Sequence, residues 1–208
     1  MINLEEITRA FIVPAIKVTK LDIDSPAIKA VHNKDELSKV DRSSDLKTWF
    51  RLMAVFHLVK LTLEFADRQG CHYDSLSYDG LIENFRCLRG ECSKAVRPTR
   101  KGAERDLRSL ASKALWCCYP NTVPIYDRYA QNALWVICKF AQIEPHDAAT
   151  GYEAFADVWL KIYKQVEPII ATEARRIKYP YKVRVFDRVL WIIGQPYYSV
   201  NGALARLF

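Results

Sequence analysis

The chain is expected to fold as an all-α protein, and three observations predict it. Apolar residues recur at helical spacing along most of its length. Glycine is scarce, seven in 208 residues, and no Asn-Gly or Asp-Gly turn separates alternating apolar runs as a β-hairpin requires. Half of the residues are hydrophobic, enough to give each helix one buried face and to fill a core. One compact helical domain spanning 1–208, or two small lobes with a cleft, accommodates this length.

Taken in order, Met1 to Ala10 carries Glu5 and Glu6 and lacks the basic start and apolar run of a secretory signal. The N-terminal arm is expected to pack against the C-terminal helices. Residues 22–45 are polar, contain Pro26 and Asn33, and read as a loop. Trp49, Leu52, Met53, Phe56, Val59 and Leu63 then mark one face of a long helix. A second break is expected over residues 90–102, between Gly90 and Gly102 and around Pro98. Leu107, Leu110, Ala111, Ala114, Leu115 and Cys118 mark the next helix, and Ala130, Ala133, Leu134, Ile137 and Phe140 the one after it. Residues 144–151 form a third break. Phe155, Val158, Trp159, Ile162, Val166 and Ile169 form a further stripe. Val183, Phe186, Val189, Leu190 and Ile193 form the last, closed by Gly194 and Pro196.

Charge and cysteine usage narrow the function classes. Lys plus Arg is 31 against 24 Asp plus Glu, a net charge of +7, which favours a polyanionic partner or is carried on solvated helix faces. No apolar run reaches membrane-spanning length, so a cytoplasmic protein without a membrane partner is expected. The cysteines at 71, 87, 92, 117, 118 and 138 form no Cys-x-x-Cys pair, and the four histidines form no His-x-x-x-His. Cys71, His72, Cys87 and Cys92 match no zinc or iron–sulfur spacing. Reduced, mostly buried thiols and no metal are the expectation.

Two basic segments stand out. Residues 94–108 hold Lys94, Arg97, Arg100, Lys101, Arg105 and Arg108 against Glu104 and Asp106. Thr99 is placed to cap the following helix, and a helix N-terminus beside loop arginines suits phosphate. Arg175, Arg176, Lys178, Lys182, Arg184 and Arg188 surround Tyr179-Pro180-Tyr181. Each cluster reads either as a nucleic-acid contact or as a solvated face.

The stretch from Ser112 to Arg128 carries the chemistry. It reads as a helix end through Lys113 and Trp116, a loop set by Pro120 and Pro124, and Asp127 at the mouth of the next helix. Read on its own, Asp127 is an N-cap, Lys113 a solvated helix lysine, and Trp116, Tyr119, Tyr126 and Tyr129 are core aromatics. Leu107-Arg108-Ser109-Leu110-Ala111-Ser112-Lys113-Ala114, followed by Val123-Pro124-Ile125-Tyr126-Asp127-Arg128-Tyr129, resembles the core of the helix-hairpin-helix DNA glycosylases of the endonuclease III superfamily. About 25 residues carry the resemblance. The chain departs from the pattern in lacking the hairpin glycines and the four-cysteine iron–sulfur loop, and Lys113 stands closer to Asp127 than in the bifunctional members.

The resemblance implies an N-glycosylase that leaves an abasic site, in repair or in defence against foreign DNA. Asp127 would be the essential carboxylate, with Lys113 a conditional amine nucleophile. Trp116, Tyr119, Tyr126 and Tyr129 would wall the pocket for a flipped base. Arg97, Arg100, Lys101, Arg105, Arg108 and Arg128 would hold DNA. The implied enzyme is a monomer with DNA as its partner and needs neither cofactor nor metal. A non-catalytic nucleic-acid-binding module and an all-α interaction protein are the competing readings.

Overall fold

The computed structural model describes residues 4–18, 21–32, 42, 44–46, 56–69, 76–95, 106–141, 143 and 151–195. These are all-helical, without a strand among the described residues. Among the described residues eight helices have defined bounds: α1 (Leu4–Val18), α2 (Leu21–His32), α3 (Phe56–Gln69), α4 (Tyr78–Ala95), α5 (Arg108–Cys118), α6 (Arg128–Ala141), α7 (Tyr152–Arg176) and α8 (Lys182–Ile193). No helix among the described residues is long and apolar enough to cross a membrane. The chain divides into two compact units, a central one of Lys20–Val123 and a terminal one of Met1–Thr19 with Pro124–Phe208.

In the central unit α5 packs against α2, α3 and α4. The apolar stripe read from its sequence is buried, and so are Ser112, Trp116 and Cys117 on its other sides. Such all-round burial marks the inner helix of its unit. Ser77 starts α4 by accepting the Gly80 N–H on its hydroxyl at 3.2 Å. Arg68 and Glu91, 2.6 Å apart, tie α3 to α4.

Two of the expected breaks are corrected here. Residues 22–32, the first part of the stretch 22–45 expected as loop, lie in α2. Ala27, Ile28, Ala30 and Val31 are buried, and this apolar face outweighs the proline it contains. The buried Arg42 guanidinium donates to the Ala30 and Val31 carbonyls at the end of α2 and bonds Asp67 at 2.9 Å. A cation thus closes carbonyls that the helix itself leaves without partners. Gly90, expected to open the second break, lies inside α4. It is exposed, and buried Leu88 and Cys92 on either side hold the helix through it. Positions 33–41, 47–55, 96–105 and 144–150 lie outside the described residues, and with them Trp49, Pro98 and Thr99.

The terminal unit is built on α8, which packs against α1, α6 and α7. The N-terminal helix does pack on the C-terminal ones, as expected: Leu4, Ile7, Phe11 and Ala15 of α1 are buried, and α1 contacts both α7 and α8. The end of α7 is closed by paired turns. Tyr179 N–H reaches the Ala174 carbonyl at 2.9 Å and Lys178 N–H the Arg175 carbonyl at 3.0 Å. Lys178 holds the left-handed position this cap requires, at φ 55.

The other end of α8 is closed by contact. A Cβ on Gly194 would stand 1.7 Å from the Tyr129 carbonyl oxygen, so α8 ends against the backbone of α6 at the closest approach a residue can make. Gly194→Ala should therefore lower the urea-unfolding midpoint by about 1–3 kcal/mol equivalent or more, since backbone must move. Gly90→Ala should raise it by up to about 1 kcal/mol, because nothing lies within 4 Å of its added carbon. Equal effects of the two substitutions would contradict this packing.

Candidate functional site

The segment Pro124–Asp127 connects into α6, and every one of its residues is tied down within the terminal unit. Pro124 accepts a hydrogen bond on its carbonyl from the Tyr152 hydroxyl at 3.0 Å. Ile125 donates its N–H to the Asp187 carboxyl at 3.3 Å. Tyr126 donates its hydroxyl to Gln131 Oε1 at 2.9 Å and sets its ring edge-on to Phe155. Asp127 accepts the Ala130 N–H on Oδ1 at 2.7 Å. Asp127 is thus the N-cap of α6 that its sequence position suggests.

This bond fixes the Asp127 side chain without using all of it. The residue is half-buried, and among the described residues no donor bonds its Oδ2. It sits at the positive end of α6. Arg128 next to it is exposed and makes no ion pair among the described residues. Tyr129 is half-buried, with its ring edge-on to Trp191.

Asp187 is the residue that sequence reasoning missed. It lies on α8, 4% exposed, and takes the Trp159 indole N–H at 3.1 Å as well as the Ile125 N–H. Burial pushes its carboxyl well above the usual carboxylate range. The Arg184 guanidinium and the Ile125 and Trp159 donors oppose that shift, and the charge of Asp127 adds to it. The two carboxyls therefore lie close enough to feel each other. The signal was present in the sequence, since Asp187 falls four residues after Val183 and three before Leu190, on the apolar stripe rather than off it.

The other expected site residues belong to the central unit or its edge. Lys113 is half-buried on α5. Trp116 is fully buried on the same helix. Tyr119 is buried, and its carbonyl accepts the Thr122 and Val123 N–H groups, which turns the chain at Pro120. Residues 108–118 are one continuous helix, so the stretch set over a hairpin by resemblance contributes no turn of its own. Without glycines, Arg108-Ser109-Leu110-Ala111-Ser112 has no left-handed position to break on.

The basic segments are partly occupied by their own neighbours. Arg108 is held by Asp106 in a two-pronged ion pair of 2.6–3.0 Å, which keeps the Asp106 carboxyl below its usual range. Arg97, Arg100, Lys101 and Arg105 lie outside the described residues. In the second cluster Arg176 bonds Glu173, Lys182 bonds Glu167, Arg184 is buried and Arg188 lies over the Trp191 ring. Arg175 and Lys178 remain exposed.

The described cysteines are free thiols, with only Cys87 exposed. Burial, reinforced by Glu91, pushes the Cys92 thiol up to about 11. Among the described residues no three His, Cys, Asp or Glu side chains gather as a metal cage; Cys71 and His72 lie outside them. Comparison with family models, with curated proteins and with solved structures returned no match.

The raised Asp187 carboxyl makes stability depend on pH in a stated direction. The folded chain holds a proton on Asp187 that the unfolded chain releases near pH 4. Its contribution is present below that pH and is lost as pH rises through the raised value. Asp187→Asn keeps an acceptor oxygen and abolishes the titration. Urea-unfolding midpoints should show the Asn variant gaining on the wild type from pH 4 to 8. Asp187→Ala, which strands the Ile125 and Trp159 donors, should lose about 1–3 kcal/mol even at pH 4. A wild-type-to-Asn difference that is flat in pH would refute the titration.

Proposed function

We propose that the protein is a monofunctional DNA N-glycosylase that removes a damaged or modified base, with Asp127 as its essential carboxylate. The observation that carries this reading is a half-buried carboxylate locked by an N-cap bond at the end of a segment whose every residue is anchored. Transition-state charge is best met by a group already fixed in place, so that no reorganisation accompanies the reaction.

The chemistry follows from that placement. The C1′–N bond breaks with its electron pair leaving on the base, and positive charge builds on the sugar. The Asp127 carboxylate stabilises that charge and orients a water, whose oxygen bonds C1′ while its proton passes to the carboxylate or to solvent. The departing base takes up a proton from solvent, so that an abasic site and a neutral free base result. The target base must leave the stack first. Tyr126 and Tyr129 flank Asp127 in sequence, and Tyr129 is the more open of the two. Trp116 and Tyr119 are buried and support the central unit rather than offering a free ring. Arg128, Arg97, Arg100, Lys101 and Arg105 are the proposed phosphate contacts, and Arg108 would join them only by leaving Asp106. Repair, or defence against DNA carrying foreign modifications, is the setting this activity fits.

Asp127→Asn preserves the cap, because asparagine is as good an N-cap as aspartate, and removes only the charge. It should unfold at nearly the wild-type temperature and bind DNA as the wild type does. Base release, read by mass spectrometry from DNAs of different modifications, should fall by a factor of about 100 or more. Unaltered release would remove Asp127 from the mechanism. Lys113 is tested on its own. A monofunctional enzyme should give no covalent adduct when borohydride is added during turnover, whereas a trapped adduct lost in Lys113→Ala would make the lysine a Schiff-base nucleophile.

A further inference from the structure

The outer face of α6 is unlike the other exposed faces of the terminal unit. Arg128, Asn132, Trp135 and Lys139 are all exposed. Their spacing of four, three and four residues puts them in one narrow stripe along the helix, about 16 Å long at 1.5 Å per residue. Trp135 is 53% exposed, one of three large apolar side chains exposed among the described residues. A lone exposed aromatic is ordinary; its company is what distinguishes this one.

The sequence of α6, Arg-Tyr-Ala-Gln-Asn-Ala-Leu-Trp-Val-Ile-Cys-Lys-Phe-Ala, contains no acidic residue. Neither Arg128 nor Lys139 therefore has an anionic partner one turn away, although Lys60, Lys161 and Arg176 on other helices do have one. The only carboxylate at this helix is the cap, Asp127, and its Oδ1 is committed to the Ala130 N–H. Lys139 instead lies over the Trp135 ring, 5.2 Å from its centre. That contact steadies the indole and occupies one of its faces, leaving the other as a platform. An indole face with a cation at each end of the stripe and an amide between them matches what an unpaired nucleotide strand offers: π-faces to stack on and phosphates at intervals. A protein partner would bring carboxylates and apolar side chains to one lone ring, whereas a strand of alternating bases and phosphates uses all four residues.

We infer that the Arg128–Asn132–Trp135–Lys139 stripe of α6 is a binding face for single-stranded DNA, on which a base stacks against Trp135 while Arg128 and Lys139 meet phosphates. This rests on the DNA reading of the Asp127 site and extends it. The same helix that fixes the carboxylate at its N-terminus carries the strand along its flank.

The test is fluorescence anisotropy of a labelled single-stranded oligonucleotide, titrated at low and rising salt with wild type, Trp135→Ala, Trp135→Phe and Arg128→Ala/Lys139→Ala. Each variant is checked by circular dichroism; an exposed position should not alter the fold. Trp135→Ala should weaken binding about ten-fold or more and Trp135→Phe much less. The double cation variant should flatten the salt dependence by about one to two units of slope. Wild-type affinity in Trp135→Ala overturns the inference. If that variant still releases base, the inference alone has failed. Absence of any DNA binding by the wild type at low salt overturns both this and the glycosylase reading. If Trp135→Ala instead abolishes self-association in sedimentation and leaves the DNA affinity intact, the face belongs to a second copy of the chain.

Discussion

A carboxyl group buried on the inner face of α8 governs the geometry of the terminal unit. Enclosing Asp187 costs free energy unless donors replace its water. The donors it finds come from two other segments: the Ile125 N–H at the entrance to α6 and the Trp159 indole of α7. The requirement to satisfy one buried group therefore fixes three segments against each other. Gly194, the residue that closes α8, lies seven residues further on, two turns away and so on the same side, where it meets the Tyr129 backbone. α8 thus grips the path from Ile125 to Tyr129 at both ends, once by hydrogen bonding and once by steric contact. Asp127 lies between the two grips.

What the sequence made legible follows from how local each determinant is. Helical period is written in neighbours three and four residues apart, so the stripes of α5, α7 and α8 could be read directly. The Asp127 cap depends on a residue three positions away, and it too could be read. The fate of 22–32 could not: Arg42 closes that helix from ten or more residues downstream, and no local pattern announces it. Gly90 misled for the opposite reason. A glycine signals a break only where the chain needs its conformational freedom, and in α4 buried Leu88 and Cys92 make that freedom irrelevant. Asp187 lies between these cases. Its position on an apolar stripe could be seen, but its two donors come from about 30 and 60 residues away, so the stripe alone could not tell a buried carboxyl from an irregularity at the helix edge.

The basic residues show that a charge count and available charge are different quantities. In the segment around Tyr179-Pro180-Tyr181, four of the six cations are committed to carboxylates, to an aromatic ring or to the protein interior. Arg108 is committed to Asp106. A cation paired within its own unit must give up that partner before it can neutralise a phosphate, and the exchange gains little at a solvated surface. Arg128 faces no such exchange among the described residues, and Lys139 has a ring but no carboxylate to leave. Position in the fold, rather than density in the sequence, selects the cations able to serve a polyanion.

The cap and the chemistry proposed for Asp127 make compatible demands on one side chain. A cap needs a single oxygen aimed at the N–H groups of the first turn. Charge stabilisation needs the delocalised negative charge held still, and one fixed oxygen immobilises both. The partial positive charge at the start of α6 suits an acceptor side chain at that position, while burial pushes the neighbouring Asp187 carboxyl well above the usual carboxylate range. One carboxyl is enclosed by the Ile125 and Trp159 donors and the other is half-buried at a helix start, so the two meet different surroundings along one short stretch of chain. The buried member holds the segment in place, and the half-buried member caps the helix that follows.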